Sequence, residues 1–419
     1  MTDQRHLVVV GASLAGLRAV ESARTDGFDG PITLIGAEPH LPYDRPPLSK
    51  AYLDELPSGQ GPESTQFRSE ETVRDELKAE LLLGIPAVAL DTTKRIVTLA
   101  DGREVDYDAL VIATGADARR LPGTAGLDGV HTLRTVDDAI AVRAALDAGA
   151  RPVVIGAGFI GSEVASGARK RGLSPVVIEA LATPLVRAVG QEMGATLASL
   201  HTRNGTDLRC GVSVASIEGD GHVERVVLDD GTVIPADLVV IGAGAVPGVG
   251  WLEGSGLTLD DGVVCDENLW TGVDGVYAAG DVARWHNGTF DRPMRLEHWT
   301  SAAEQGATAA RNALNPDAPK SYSTVPYFWS DWYDVRIQFV GSPAADQIVV
   351  IEDLDADGRI VALYREDDRL AGVLTVNGQT EIMKYRGQIM KGAAFTDAIE
   401  FAEKRKEARA AKLAAAVSS

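Results

Sequence analysis

Two glycine turns carry the spacing best suited to chemistry in this sequence. Gly156-x-Gly158-x-x-Gly161 follows the apolar run Pro152-Val-Val-Ile155, and Gly11-x-Ser13-x-x-Gly16 follows Leu7-Val-Val-Val10. A glycine turn from a strand into a helix lets backbone amides approach a pyrophosphate at the positive end of the helix. Ser13 stands where the full motif has glycine, and a residue that small still permits the approach. An acid follows each turn: Glu38 lies about 20 residues beyond Gly16, the distance the dinucleotide unit expects, and Glu179 ends the run Pro175-Val-Val-Ile178. A carboxylate there accepts from a ribose 2′-hydroxyl and repels a 2′-phosphate, so Glu179 points to NADH over NADPH; Arg187, close in sequence, would soften that preference.

Other residues are less specific alone. Lys50 ends Leu41-Pro-Tyr-Asp-Arg45-Pro-Pro-Leu-Ser-Lys50, a stretch whose three prolines forbid a regular helix or a central strand. A cation held by so stiff a loop can stabilise a developing anion, and the plainer alternative is a solvated lysine. Gly280-Asp281 ends a short strand; its carboxylate either accepts from sugar or polyol hydroxyls or caps the next segment of chain. Tyr327, Phe328, Trp329 and Trp332, with Trp299 before them, concentrate the rings of a chain that is only 5% aromatic, where they either pack in the core or cover a ligand. Cys210 and Cys265 form no CxxC, metal spacing or disulfide framework and are expected as buried thiols.

The elements that position these residues repeat. Strand 6–10, the first turn, helix 14–24, strand 31–35 and Glu38 are matched by strand 152–155, the second turn, helix 162–171, strand 175–178 and Glu179. Each unit continues through a β region, 84–112 and then 206–234, and ends in a buried strand stopping on glycine, at Ala113-Thr-Gly115 and at Gly242. The separation suits a duplicated domain rather than a solenoid repeat. A third region starts near 326, with β-like runs at 335–341, 347–352, 359–365 and 369–376 and helical signal at 379–390 and 397–415. A chain of 419 residues exceeds one ordinary core. Its net charge of −20 argues against nucleic acid, which needs a basic footprint. No apolar run is long enough to span a membrane and no signal peptide is visible, so a cytoplasmic setting is expected.

The sequence resembles the FAD-dependent NADH:ferredoxin reductases of bacterial oxygenase systems, within the pyridine nucleotide-disulphide oxidoreductase family. The motifs run in order from about residue 7 to about 390: Val-Val-Val-Gly-Ala-Ser-Leu-Ala-Gly16, Leu-Pro-Tyr-Asp-Arg-Pro-Pro-Leu-Ser-Lys50, Val-Ile-Ala-Thr-Gly-Ala116 with Arg119, Leu-Arg-Thr135, Val-Ile-Gly-Ala-Gly-Phe-Ile-Gly-Ser-Glu163, Tyr-Ala-Ala-Gly-Asp281, Glu-His-Trp299 and Phe-Trp-Ser-Asp331. Ser13 and Ala37, the latter where relatives often carry an acid, depart from the family pattern. The resemblance implies an α/β fold of two Rossmann-like dinucleotide-binding domains, glutathione-reductase-like, with a C-terminal α+β domain. The expected division is FAD at 1–115 and 248–325, NADH at 116–247, and the C-terminal domain at 326–419.

It further implies that FAD meets Gly11, Ser13, Leu14, Ala15, Gly16, Glu38, Arg45, Lys50, Val88, Ala113, Thr114, Gly115, Arg119, Arg134, Gly280, Asp281, Glu297, His298, Trp299, Phe328 and Trp329. NADH is expected at Gly156, Gly158, Phe159, Ile160, Gly161, Glu163, Glu179, Arg187 and Gly242. Lys50 would lie against the flavin and Glu163 beside the nicotinamide, and these two are the residues expected to be catalytic. NADH would pass a hydride to the flavin, which would release single electrons to a two-iron two-sulfur ferredoxin. Rubredoxin as acceptor, a generic NADH diaphorase and an FAD-holding redox sensor that signals by binding remain as alternatives. A disulfide reductase would need a redox cysteine pair that is missing here. Ferredoxins are usually acidic, as this chain is, so docking is expected either on a local basic patch, with Arg45, Lys50, Arg68 and Lys384 as contributors, or through an apolar contact.

Overall fold

The structure is a computed structural model and describes residues 5–55, 61–354 and 358–417. The helices are α1 (Leu14–Thr25), α2 (Val136–Asp147), α3 (Phe159–Lys170), α4 (Val186–Arg203), α5 (Trp299–Leu314), α6 (Ile382–Met390) and α7 (Phe395–Val417). The chain divides into two compact units: Met1–Pro47, Glu63–Asp117 and Ala245–Thr324 form the first, and Leu48–Pro62, Ala118–Gly244 and Val325–Ser419 the second.

The first unit is built on a five-stranded parallel sheet in the order Val276–Ala278, Ala109–Ile112, Leu7–Val10, Ile32–Gly36, Ala79–Leu83. All four residues of Leu7–Val10 are buried, because helices and loops cover both faces of a parallel sheet and leave no side for polar residues. Helix α5 lies so close to α1 that a Cβ on Gly306 would stand 2.1 Å from the Ala15 carbonyl oxygen. A three-stranded antiparallel sheet, Ala87–Asp91, Ile96–Leu99 and Glu104–Asp106, precedes the return to the main sheet.

The second unit repeats that plan. Its parallel sheet runs Asp207–Cys210, Val176–Glu179, Pro152–Ile155, Leu238–Ile241, Val130–His131, and its three-stranded sheet is Val214–Glu218, Arg225–Leu228, Val233–Pro235. In both units the strand before the glycine turn is central, which puts the turn at the carboxyl edge where open α/β sheets bind ligands. The unit adds a five-stranded antiparallel sheet in the order Tyr327–Trp332, Val335–Gly341, Arg369–Val376, Ile360–Glu366, Gln347–Glu352.

Two elements depart from the sequence reading. The β region begins earlier than expected, with Ala79–Leu83 joining the parallel sheet. Helix α4 falls in a stretch without a helix signal of its own. It starts after Leu185 in a left-handed conformation (φ +61°), without a side-chain cap, and is kinked at Gly190 (φ +78°), so the usual start signals are missing. What fixes it is tertiary packing: Val189, Met193, Leu197 and Leu200 share one core with Ile337, Phe339, Tyr364 and Leu374 of the antiparallel sheet, and the Tyr364 hydroxyl donates to the Val189 carbonyl at 2.6 Å. The aromatic cluster divides as the core reading allowed: Trp332 and Tyr327 are buried, while Phe328 and Trp329 are half-buried. Among the described residues, no helix is long and apolar enough to cross a membrane.

Candidate functional site

The two glycine turns are crowded by backbone rather than by side chains. Gly11 has φ +122°, and a Cβ there would stand 2.0 Å from the Ala113 carbonyl oxygen; Gly156 has φ +100° and would meet the Gly242 oxygen at 2.5 Å. No side chain fits either position, because both the conformation and the space exclude it. Gly16 and Gly161 let the helix start fold back on the turn, with a Cβ meeting the Gly11 and Gly156 carbonyl oxygens at 1.9 and 2.2 Å. Gly158 differs: its nearest neighbour would be the Gly242 oxygen at 3.8 Å, so the protein itself leaves that position open.

Helix starts tell the same story. α2 is closed by a capping box, in which Thr135 accepts from the Asp138 amide and the Asp138 carboxylate from the Thr135 amide. α1 and α3 begin at Ser13 and Gly158 with no side-chain cap, as do α4, α5 and α6, but only α1 and α3 follow a glycine turn from a parallel strand. Their first amides therefore keep the hydrogen-bonding capacity, and the helix-end charge, that a pyrophosphate needs. Both turns fit the dinucleotides expected of them.

In the first unit, Leu14, Ala15 and Gly16 form the buried first turn of α1. The Ser13 hydroxyl, standing where the motif has glycine, accepts from Arg45 Nε at 3.4 Å. Arg45 also binds Glu38, with Nη2 2.5 Å from Oε1, and Tyr43 OH donates to Glu38 Oε2 at 2.5 Å. Glu38 is thus held by its own loop. Ala113, Thr114 and Gly115 follow strand Ala109–Ile112, and the Thr114 hydroxyl donates to the Gly248 carbonyl at 2.8 Å. Gly280 (φ +78°) donates its amide to Gln305 Oε1 at 2.8 Å and opens the short turn holding Asp281. Loss of hydration pushes the His298 ring down to about 4, with Asp281 pulling the other way. Glu297 accepts from Arg295 at 2.8 Å, and Trp299 Nε1 donates to Asp44 at 2.8 Å. Val88 is 48% exposed on its strand.

The other residues expected around FAD belong to the second unit. Arg119 is exposed and Arg134 half-buried just before α2. Phe328 lies 4.8 Å from Phe159, ring centre to ring centre, and stacks on Phe339 at 5.5 Å. Trp329 stacks on Tyr327 at 5.7 Å, with the Arg336 guanidinium over its ring.

Among the residues expected around NADH, Ile160 is 43% exposed at the start of α3, and Arg187 is exposed at the start of α4. Glu179 Oε2 accepts from the Ala157 amide and Oε1 from the Leu181 amide, both at 2.9 Å, which fixes its carboxylate against the glycine turn. Glu163 is 3% exposed, and Lys50 Nζ lies 2.9 Å from its Oε1. The two residues singled out for chemistry therefore form an ion pair between a half-buried ammonium and a buried carboxylate.

Sequence reasoning missed the polar contacts around α3. Ser49 and Ser330 both donate to Glu163, and buried His201 bridges Ser162 and Tyr333. These contacts join residues far apart in sequence, and no local signal marks them. Of the basic residues considered for docking, Arg45 pairs with Glu38, Lys50 with Glu163, and Arg68 with Glu21 at 2.9 Å; Lys384 stands exposed on α6. Cys265 is buried as expected, whereas Cys210 is only half-buried at the end of an edge strand. Both thiols are held protonated: burial, aided by Asp266, pushes Cys265 up to about 12, and partial burial beside Glu179 raises Cys210.

Comparison with known proteins identifies the family. Residues 5–306 match the pyridine nucleotide-disulphide oxidoreductase family model, and residues 327–411 match a reductase C-terminal domain. The chain is 38% identical over 383 residues to rhodocoxin reductase of Rhodococcus erythropolis, covering 91% of this chain and 88% of that protein. It is 36% identical over 389 residues to putidaredoxin reductase CamA of Pseudomonas putida, covering 91% and 90%. The reductase in the crystal structure of the covalent putidaredoxin reductase–putidaredoxin complex superposes with a TM-score of 0.87 at 34% identity, over 93% of this chain and 94% of that one. The chain belongs to the pyridine nucleotide-disulphide oxidoreductase family.

Proposed function

We propose that this protein is a flavoprotein reductase that takes a hydride from NADH onto FAD and passes single electrons to a two-iron two-sulfur ferredoxin feeding an oxygenase. The observation that carries the reading is the pair of glycine turns whose backbone excludes a Cβ and which open onto helix starts without side-chain caps. Similarity to rhodocoxin and putidaredoxin reductases over 91% of this chain supports the electron acceptor.

We assign FAD to the first unit, with the α1 amides on its pyrophosphate, Glu38 on its ribose and Asp281 on its polyol chain. NADH is assigned to the second unit, with the α3 amides on its pyrophosphate and Glu179 on its ribose. Bound FAD supplies the change from a two-electron donor to a one-electron acceptor, and no side chain needs to act as acid, base or nucleophile. The residues of this chain bind, orient and exclude water. We further assign Lys50 as the cation that acts on the flavin, and Phe328 and Trp329 as aromatic residues that serve it. Reliance on NADH favours a cytoplasmic setting. The raised thiols of Cys265 and Cys210 favour this reading over a dithiol mechanism, since the thiolate is the reactive form.

The test is anaerobic rapid mixing of the flavin-loaded protein with NADH, then reduction of a panel of two-iron ferredoxins and rubredoxin. Bleaching of the oxidised flavin band, and cytochrome c reduction that requires an added ferredoxin, are expected. Absence of bleaching overturns the hydride step. A rate indifferent to ferredoxin indicates a generic diaphorase, and preference for rubredoxin reassigns the partner.

A further inference from the structure

The Glu163 carboxylate is unusual in how completely it is used. Its Oε1 takes Lys50 Nζ at 2.9 Å, the Ser330 hydroxyl, and the Asp331 amide at 3.3 Å. Its Oε2 takes Lys50 Nζ at 3.0 Å and the Ser49 hydroxyl. A carboxylate offers about four lone-pair directions, so these contacts leave none for a ligand amide or for a travelling proton. Glu163 is expected from the sequence beside the nicotinamide, and its geometry is that of a support rather than of a group that touches the ligand.

The supports come in two adjacent pairs from distant parts of the chain. Ser49 and Lys50 end the proline loop, and Ser330 and Asp331 lie in strand Tyr327–Trp332. The hydroxyl directions are fixed: Ser330 donates its one proton to Glu163 and accepts Trp332 Nε1–H at 2.9 Å. Neither hydroxyl is needed to form its segment. Strand Tyr327–Trp332 pairs residue by residue with Val335–Gly341 through its backbone, and the loop is stiffened by its prolines. A buried carboxylate held only by Lys50 and the long Asp331 amide contact could swing about its χ angles and take the ammonium with it; two hydroxyls on different oxygens stop that rotation.

We propose that Ser49 and Ser330 are positioning residues for hydride transfer: they clamp the Glu163 carboxylate from two chain segments, and the carboxylate in turn fixes the Lys50 ammonium in the one orientation the reaction uses. The inference rests on the function proposed above, in which Lys50 is the cation that acts on the flavin. It predicts that the serines act through Lys50 and not through folding.

The experiment compares wild type, Ser330→Ala, Ser49→Ala, Lys50→Gln and Ser330→Ala/Lys50→Gln as flavin-loaded proteins, with bound flavin per chain measured first. Ser330→Ala is expected to lower the reduced-to-oxidised flavin ratio at a given potential about tenfold, a shift of about 30 mV for a two-electron couple. The limiting rate of flavin reduction by NADH should fall about tenfold, while NAD⁺ affinity measured by calorimetry changes less than twofold. In the Lys50→Gln background the Ser330→Ala change should have no further effect on the potential. Ser49→Ala, an independent variant should Ser330→Ala lose flavin, is expected to behave alike, and Ser49→Thr to restore wild-type values. Wild-type potential and limiting rate in both alanine variants overturn the proposal, as does an effect of equal size with and without Lys50. Those outcomes leave the proposed function standing, whereas a wild-type protein that NADH does not bleach removes both.

Discussion

His201 makes a quantitative prediction about acid stability. It is fully buried in the second unit, with Nε2 3.1 Å from the Ser162 hydroxyl and Nδ1 2.8 Å from the Tyr333 hydroxyl. Burial alone pushes it down to about 4 from an ordinary 6.5. The folded state therefore holds the neutral ring, and the unfolded chain takes up a proton first as pH falls. Stability from this residue is full above about 6.5 and is lost progressively down to about 4. Integrating between pH 7 and pH 5 gives a loss of about 2 kcal/mol for this one group. The assay is urea unfolding of the flavin-loaded protein at both pH values, with flavin in the same excess, for wild type and His201→Gln. Glutamine occupies a similar volume and cannot titrate. The variant starts lower at pH 7, having lost well-aligned hydrogen bonds, yet its further loss on going to pH 5 should be smaller than that of wild type by about 2 kcal/mol. His298, also pushed down to about 4, titrates in both proteins and cancels. Equal acid losses in the two proteins would refute the argument that a neutral His201 supports the fold.

The glycine turn separates fold from ligand. Gly158→Ala, whose Cβ meets only an oxygen at 3.8 Å, should melt close to wild type and raise KM for NADH at least about tenfold, since the added methyl meets only the bound nucleotide. Gly156→Ala, at φ +100° and 2.5 Å from a carbonyl, should instead lower the melting temperature, and unchanged melting would contradict the crowding described above. Glu179→Ser should shift the ratio of kcat/KM for NADH over NADPH toward NADPH by about tenfold or more, measured by steady-state kinetics; an unmoved ratio removes the carboxylate from cofactor choice. Treatment with iodoacetamide at neutral pH should leave NADH-driven flavin reduction intact, because both thiols are held protonated by burial; rapid inactivation would reopen a thiol mechanism.

What could be read from the sequence was local. Gly11, Gly16, Gly156 and Gly161 announce themselves because their conformations or close approaches admit nothing else, and Leu7–Val10 because a doubly covered strand has no polar face. Strand Ala79–Leu83 escapes such a reading because its partner, Ile32–Gly36, lies far away along the chain. Helix α4 escapes it because its start is unsignalled and its support, the Tyr364 hydroxyl and the antiparallel sheet, comes from the last hundred residues. Charge pairing with a distant partner is invisible for the same reason. Lys50 and Arg68 read as unspent cations in sequence, and each is committed to a carboxylate far along the chain.

The convergence on Glu163 has a consequence for recombination between relatives. The carboxylate comes from α3, its cation and one hydroxyl from the proline loop, and its second hydroxyl and amide from strand Tyr327–Trp332. Any crossover between residues 163 and 330 separates members of this set and joins sequences that need not match at position 330 or 332. A hybrid that receives an apolar residue at 330 inherits a buried carboxylate short of one donor, a defect that surface similarity would not reveal. The C-terminal region is therefore not a freely exchangeable cartridge. Retargeting the protein toward another electron acceptor by segment exchange requires that the hydroxyl and the indole travel together, while substitutions on exposed positions such as those of α6 leave the set untouched.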